Sequence, residues 1–166
     1  MKYLKYFLIV GIAMICFAAY TSKNTKPSEG IYPGDLFPTI SDLEEMTGEK
    51  ISLSDLKGQK VLVNFWAAYD AQSHRDNVLL ANMIKEKNYP VKMISLSFDE
   101  SRSVFEKTVK TDKIGDDSQY WIDHQQQESL RSRYKLKNHF RSYLIDEEGK
   151  IVAMNVPAQE LGLFFN

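Results

Sequence analysis

Val61-Leu62-Val63-Asn64-Phe65-Trp66 is the stretch whose reading decides the fold. Five of its six residues are apolar and no turn residue interrupts them. A short apolar run of this kind suits a strand buried on both faces, as in a sheet covered by helices on each side. Downstream, Leu80, Met83, Ile84 and Lys87 recur at helical spacing, predicting a helix from about Ala71 to Lys87. Asn88-Tyr89-Pro90 stops it. A second strand is expected over Val91–Phe98, with Ile94, Leu96 and Phe98 alternating on one side. Two such strands joined through a helix require a right-handed crossover, hence parallel pairing.

Working outward from that unit, Thr39–Leu43 and Lys50–Leu53 flank a turn at Thr47-Gly48 and read as a short hairpin. Ser54–Gly58 reads as one helical turn closed by glycine. A helix from Ser101 to about Thr111 is expected to bring Val104, Phe105 and Val109 together, with Lys107, Lys110 and Lys113 on a solvated face. A weaker strand at Gln119–Asp123 and a helix at Gln125–Tyr134 follow. Arg141–Asp146 and Lys150–Asn155 flank Glu147-Glu148-Gly149 as an antiparallel hairpin, and Pro157–Phe164 forms a short last helix. The closing hairpin makes the sheet mixed. The expected architecture is a three-layer α/β sandwich with helices on both faces and an N-terminal β-hairpin.

At 166 residues the chain suits one domain. A composition 43% hydrophobic and 26% charged excludes global disorder. A net charge of −1 advertises no nucleic-acid-binding surface. The single cysteine, Cys16, excludes an intrachain disulfide and any multi-cysteine zinc or iron–sulfur site. Cys16 lies in an apolar run, Tyr6–Tyr20, preceded by Lys2 and Lys5 and followed by a polar exit. Residues 1–22 are therefore expected to be a secretory signal peptide or membrane anchor, 23–30 a linker and 31–166 the folded domain. The positive end stays cytoplasmic, which places everything after Ser22 outside the inner membrane of a bacterium. Cleavage near Ala18 or Ala19, lipidation at Cys16 and a retained anchor are the open alternatives. The membrane is expected to be met only through this segment.

Gly34-Asp35-Leu36-Phe37-Pro38, Leu53-Ser54-Asp55-Leu56-Lys57-Gly58, Val61–Ala67 and Tyr143–Val152 resemble exported thioredoxin-like proteins of the TlpA type, related to the peroxiredoxins. The resemblance runs from about residue 31 to 166. It implies a thioredoxin-like fold and, in typical members, thiol–disulfide exchange or an antioxidant role in the cell envelope. That chemistry needs Cys-x-x-Cys at the start of the helix after the Phe-Trp strand, where the helix dipole generates thiolate. Asp70 stands at the nucleophilic cysteine position and Ser73 at the resolving one. A thiolate is required for exchange, and neither side chain supplies it. The resemblance also implies a cis-proline opposite the cysteines; Phe140 stands there, so a trans bond is expected.

The altered site leaves three readings. Asp70 and Ser73 suit an N-cap, which needs no further chemistry. Asp70, His74 and His139 are candidate ligands for zinc or a similar divalent cation, if the fold brings them together. A hydrolase built on Ser73 is disfavoured, because Ser73 and His74 diverge by about 100° as helix neighbours. Tyr69, Asp70, His139 and Phe140 are the candidates for a peptide-binding lip; Trp66 could join them, but with Phe65 it reads first as a core residue of the central strand. The expected function is an envelope binding or accessory module taking a protein or peptide, without cofactor or dithiol catalysis. A family-like oxidoreductase or antioxidant role and divalent-metal binding are the alternatives.

Overall fold

The computed structural model describes residues 27–46 and 48–165. The signal or anchor segment with Cys16, and the turn residue Thr47, lie outside the described residues. The chain joins the domain earlier than the expected linker boundary. Leu36 donates its amide to Ser28 O at 2.9 Å, and Gly30 donates to Leu36 O at 3.0 Å.

The elements are β1 (Leu43–Glu44), β2 (Lys50–Ile51), β3 (Val61–Trp66), α1 (Ala71–Lys87), β4 (Lys92–Ser97), α2 (Arg102–Asp112), β5 (Gln119–Trp121), α3 (His124–Arg133), β6 (Ser142–Ile145) and β7 (Ile151–Met154). Short 3-10 turns occupy Leu53–Leu56, Asp116–Ser118 and Ala158–Phe164. One sheet runs β5-β4-β3-β6-β7 with β3 at its centre. Its β3–β4 and β4–β5 pairs are parallel, and β3–β6 and β6–β7 are antiparallel, so the mixed sheet is as expected.

Alternate residues of β3 serve two cores, as the pleat dictates. Val61, Val63 and Phe65 pack with Leu130 and Tyr134 from α3 and its end, and with Tyr143. On the opposite face Leu62 meets Leu80 of α1 and Leu161, and Trp66 meets Phe105 and Val109 of α2. Phe65 and Trp66 are fully buried, each on its own side. Gly149 takes a φ of +85°, the left-handed conformation that tightens the β6–β7 turn.

Three local expectations are corrected. The first hairpin shrinks to two residues per strand in a separate small sheet, because Asp42 adopts a left-handed φ of 58° and breaks the extended run. Val104 is 46% exposed, not part of the α2 core face. Phe105 and Val109, one turn apart, hold that face, and Val104 is rotated off it by the helical step. The last helix is a 3-10 turn, Ala158–Phe164. Strand and helix ends elsewhere differ by a residue or two, the usual fraying range.

Candidate functional site

The end of β3 leads into a tight turn, Ala67–Asp70, closed by the Asp70 amide donating to Ala67 O at 3.1 Å. A buried carboxylate pins the turn to the sheet. Asp99, just past β4, accepts from the Ala68 amide at 2.9 Å and from Ser97 Oγ at 2.8 Å.

Asp70 is the N-cap of α1, its Oδ1 accepting from the Ser73 amide at 2.8 Å. Ser73, almost fully buried, donates its hydroxyl to Asp70 O at 3.2 Å and accepts from the Ala67 amide at 3.3 Å. Both side chains are thus held in the local backbone network. This is the capping reading: the turn's free amides find oxygen partners, and the positive end of the helix faces a carboxylate.

The candidate metal set is not assembled. His74 Nε2 meets Asp112 Oδ2 of α2 at 2.6 Å, and its ring stacks on Trp66 with centroids 5.6 Å apart. His139 is exposed beside Arg141, with 3.4 Å between His139 Nε2 and Arg141 Nη2. No group of three His, Cys, Asp or Glu suited to a metal occurs among the described residues. The reason is rotational: four residues after Asp70, His74 faces α2 rather than the loop that carries His139.

The aromatic cluster forms with a different membership. Tyr69 and Phe140 face each other with ring centroids 6.4 Å apart, and Phe140 packs on Phe98 at 5.5 Å. Tyr69 is 63% exposed. Trp66, as its core reading expects, points to the opposite face of the sheet against Phe105 and is absent from the cluster. Its place is taken by Arg131 of α3. That guanidinium lies 4.9 Å from the Phe98 centroid and 5.7 Å from the Phe140 centroid, and it donates to Tyr69 Oη at 2.9 Å. No peptide bond among the described residues is cis, so the bond before Phe140 is trans. Ser73 and Phe140 also border an open groove of about 590 Å³, between α1 and the segment 155–159. Gln72, Arg75, Asp76 and Leu79 line its helix side.

A family model described as Redoxin matches residues 32–162. The chain belongs to the Redoxin family. This redoxin is similar to the thioredoxin-like protein YneN of Bacillus subtilis, 28% identical over 155 residues, covering 89% of this chain and 88% of the relative. It is likewise similar to the thiol-disulfide oxidoreductase ResA of Bacillus subtilis, 29% identical over 144 residues, with 85% and 78% covered. Among solved structures, a thioredoxin-like protein from Parabacteroides distasonis superposes with a TM-score of 0.71 at 36% identity, covering 84% of this chain and 98% of that one. The thioredoxin-like fold and the relation to thiol–disulfide oxidoreductases are thereby established for this redoxin.

Two residues of the redoxin site escaped the sequence reading. Asp99 opens the polar stretch Asp99-Glu100-Ser101 after a strand, so in sequence it reads as the start of an exposed loop and nothing marks its burial. Arg131 sits in the polar helix α3, and nothing local marks it, since its ring partners are distant in sequence.

Proposed function

We propose that this redoxin is a binding module of the bacterial cell envelope that takes an extended protein or peptide segment and performs no dithiol chemistry. One observation carries the reading: two of the three altered site positions, Ser73 and Phe140, border an open groove. The exposed Tyr69 ring beside Phe140 adds an aromatic lip, a surface type common in peptide recognition. The envelope location rests on the basic, apolar and polar succession of residues 1–28.

ResA is named a thiol-disulfide oxidoreductase. The corresponding step needs a thiolate that attacks a disulfide sulfur. The Asp70 carboxylate and Ser73 hydroxyl cap a helix, and the chain's single thiol, Cys16, belongs to the N-terminal segment. The test measures insulin reduction and peroxide consumption by the full-length chain and by its Cys16→Ser variant. Both should run at background rates; turnover above background in Cys16→Ser would overturn the proposal.

A further inference from the structure

The segment Arg131-Ser132-Arg133-Tyr134-Lys135-Leu136-Lys137-Asn138-His139-Phe140-Arg141 carries five arginine or lysine residues and no carboxylate, in a chain whose net charge is −1. The remainder of the chain is therefore net acidic. The cations fall on alternate positions. Tyr134 and Leu136 between them are buried, while Arg133, Lys135, Lys137 and His139 are exposed. The pattern turns one edge of the segment into the core and the other, charged, edge toward solvent.

None of the five cations enters an ion pair among the described residues. Their polar contacts go to neutral groups. Arg131 donates to Tyr69 Oη, Arg133 to Thr39 O at 3.2 Å and Lys135 to Tyr32 Oη at 3.4 Å. Arg141 Nε is shielded from solvent without a hydrogen-bond partner among the described residues. The negative end of α3 accounts for cations in its last turn, Arg131 and Arg133. Lys135, Lys137 and Arg141 lie past the helix, beyond the reach of that effect.

Exposed aromatic rings accompany this charge at two places. Tyr69 meets Arg131, and Tyr32, 53% exposed, lies under Lys135 with 5.4 Å from Nζ to the ring centroid. We propose that the 131–141 strip, with Tyr32, Tyr69 and Phe140, recognises an acidic extended polypeptide segment bearing apolar side chains. This deepens the peptide-binding reading above and rests on it. Unpaired cations supply the charge complementarity, and the rings at separate points along the strip suit side chains spaced along one extended strand. The net acidic remainder of the chain disfavours a long polyanion such as nucleic acid, which would run onto repelling surface.

The test uses the full-length chain in neutral detergent and two labelled probes read by fluorescence anisotropy. One peptide alternates glutamate with leucine and tyrosine; in the other every glutamate is glutamine. The acidic probe should bind at least roughly tenfold more tightly, with the advantage shrinking as salt rises. The double variant Lys135→Glu/Lys137→Glu, which alters two exposed side chains, should lose roughly that factor. Reversal of two exposed lysines on α2, Lys107→Glu/Lys110→Glu, should change binding less than twofold, about half a kcal/mol or less. Equal binding of the two probes overturns the acidic preference and leaves the peptide-binding reading standing; binding of neither overturns both. The proposal also falls if the α2 reversal has the same effect, or if phosphatidylglycerol in the micelles displaces the acidic probe as well as unlabelled peptide does. A sedimentation shift from dimer to monomer on reversing Lys135 and Lys137 would make a second copy the occupant, and would overturn it too.

Discussion

The Asp70 carboxylate accepts the Ser73 amide at 2.8 Å, and the His74 amide closes onto Asp70 O at 2.9 Å. The residue that the family resemblance sets at the nucleophile position therefore starts the helix. Removing such a cap costs about 1 kcal/mol, because a helix amide loses its only side-chain partner. Asp70→Ala is thus expected to lower urea-unfolding stability by about that amount. Asp70→Asn should lie within a few tenths of a kcal/mol of the parent, since an amide oxygen caps nearly as well. A loss in Asp70→Asn as large as in Asp70→Ala would contradict the capping role and point to a need for the charge itself. The contrast is informative because a metal ligand or a proton-transfer group would not tolerate the amide.

At the scale of elements, α1 is fastened to the sheet by amides as well as by Leu80. Asn77 of α1 accepts at Oδ1 from Asn64 Nδ2 of β3 at 3.2 Å, and from Ser95 Oγ of β4. It donates to Gln119 Oε1 of β5 at 3.1 Å. All four side chains are buried, so a single helix residue completes the hydrogen bonding of three strands. Asn77→Ala should cost about 2–3 kcal/mol, since it leaves several buried polar groups without a partner at once. Urea titration of the variant checks this; a loss below about 1 kcal/mol would mean the ladder is not a cooperative unit. The positions of β3, α1 and β4 were legible in sequence because β3 is a short apolar run while β4 and α1 show periods of 2 and 3.6. The ladder was not, because its members come from four separate elements and only Asn64 stood out against an apolar run. The same holds at the site. Asp70, Ser73 and Phe140 were placed by the resemblance to thioredoxin-like proteins, anchored on the strand before them and the hairpin after. The direction of His74 and the ring partners of Arg131 depend on how helices pack against each other, which no local pattern records. The first hairpin was overestimated because alternation says nothing of the left-handed turn at Asp42 that cuts it short.

Across the whole molecule, three tyrosines hold the segment 37–45 and the sheet in one core. Tyr120 donates to the buried Glu45 at 2.6 Å, Tyr134 donates to Pro38 O at 2.6 Å, and Tyr143 packs against Phe37 and Phe65. Burial pushes the ionisation of all three above the usual phenol value, and the Glu45 carboxylate pushes Tyr120 further. Positive neighbours oppose this at Tyr134 and Tyr143, through Arg133 and Arg141, without cancelling the burial. In the unfolded chain these phenols ionise near pH 10. Between that pH and their raised folded values, the folded state holds more protons than the unfolded one, so stability falls as pH rises. The unfolding free energy from urea titration should accordingly be flat from about pH 8 to 9.5 and fall above about pH 10, by at most roughly 4 kcal/mol per pH unit for three phenols. Tyr143 separates this effect from hydrogen bonding. Its buried hydroxyl has no hydrogen-bond partner among the described residues. Tyr143→Phe should therefore change stability at pH 7 by less than about 1 kcal/mol, while reducing the alkaline slope by about one proton. If the slope of Tyr143→Phe matches the parent above pH 10, the alkaline loss does not come from this buried phenol, and ionisation elsewhere in the chain must carry it.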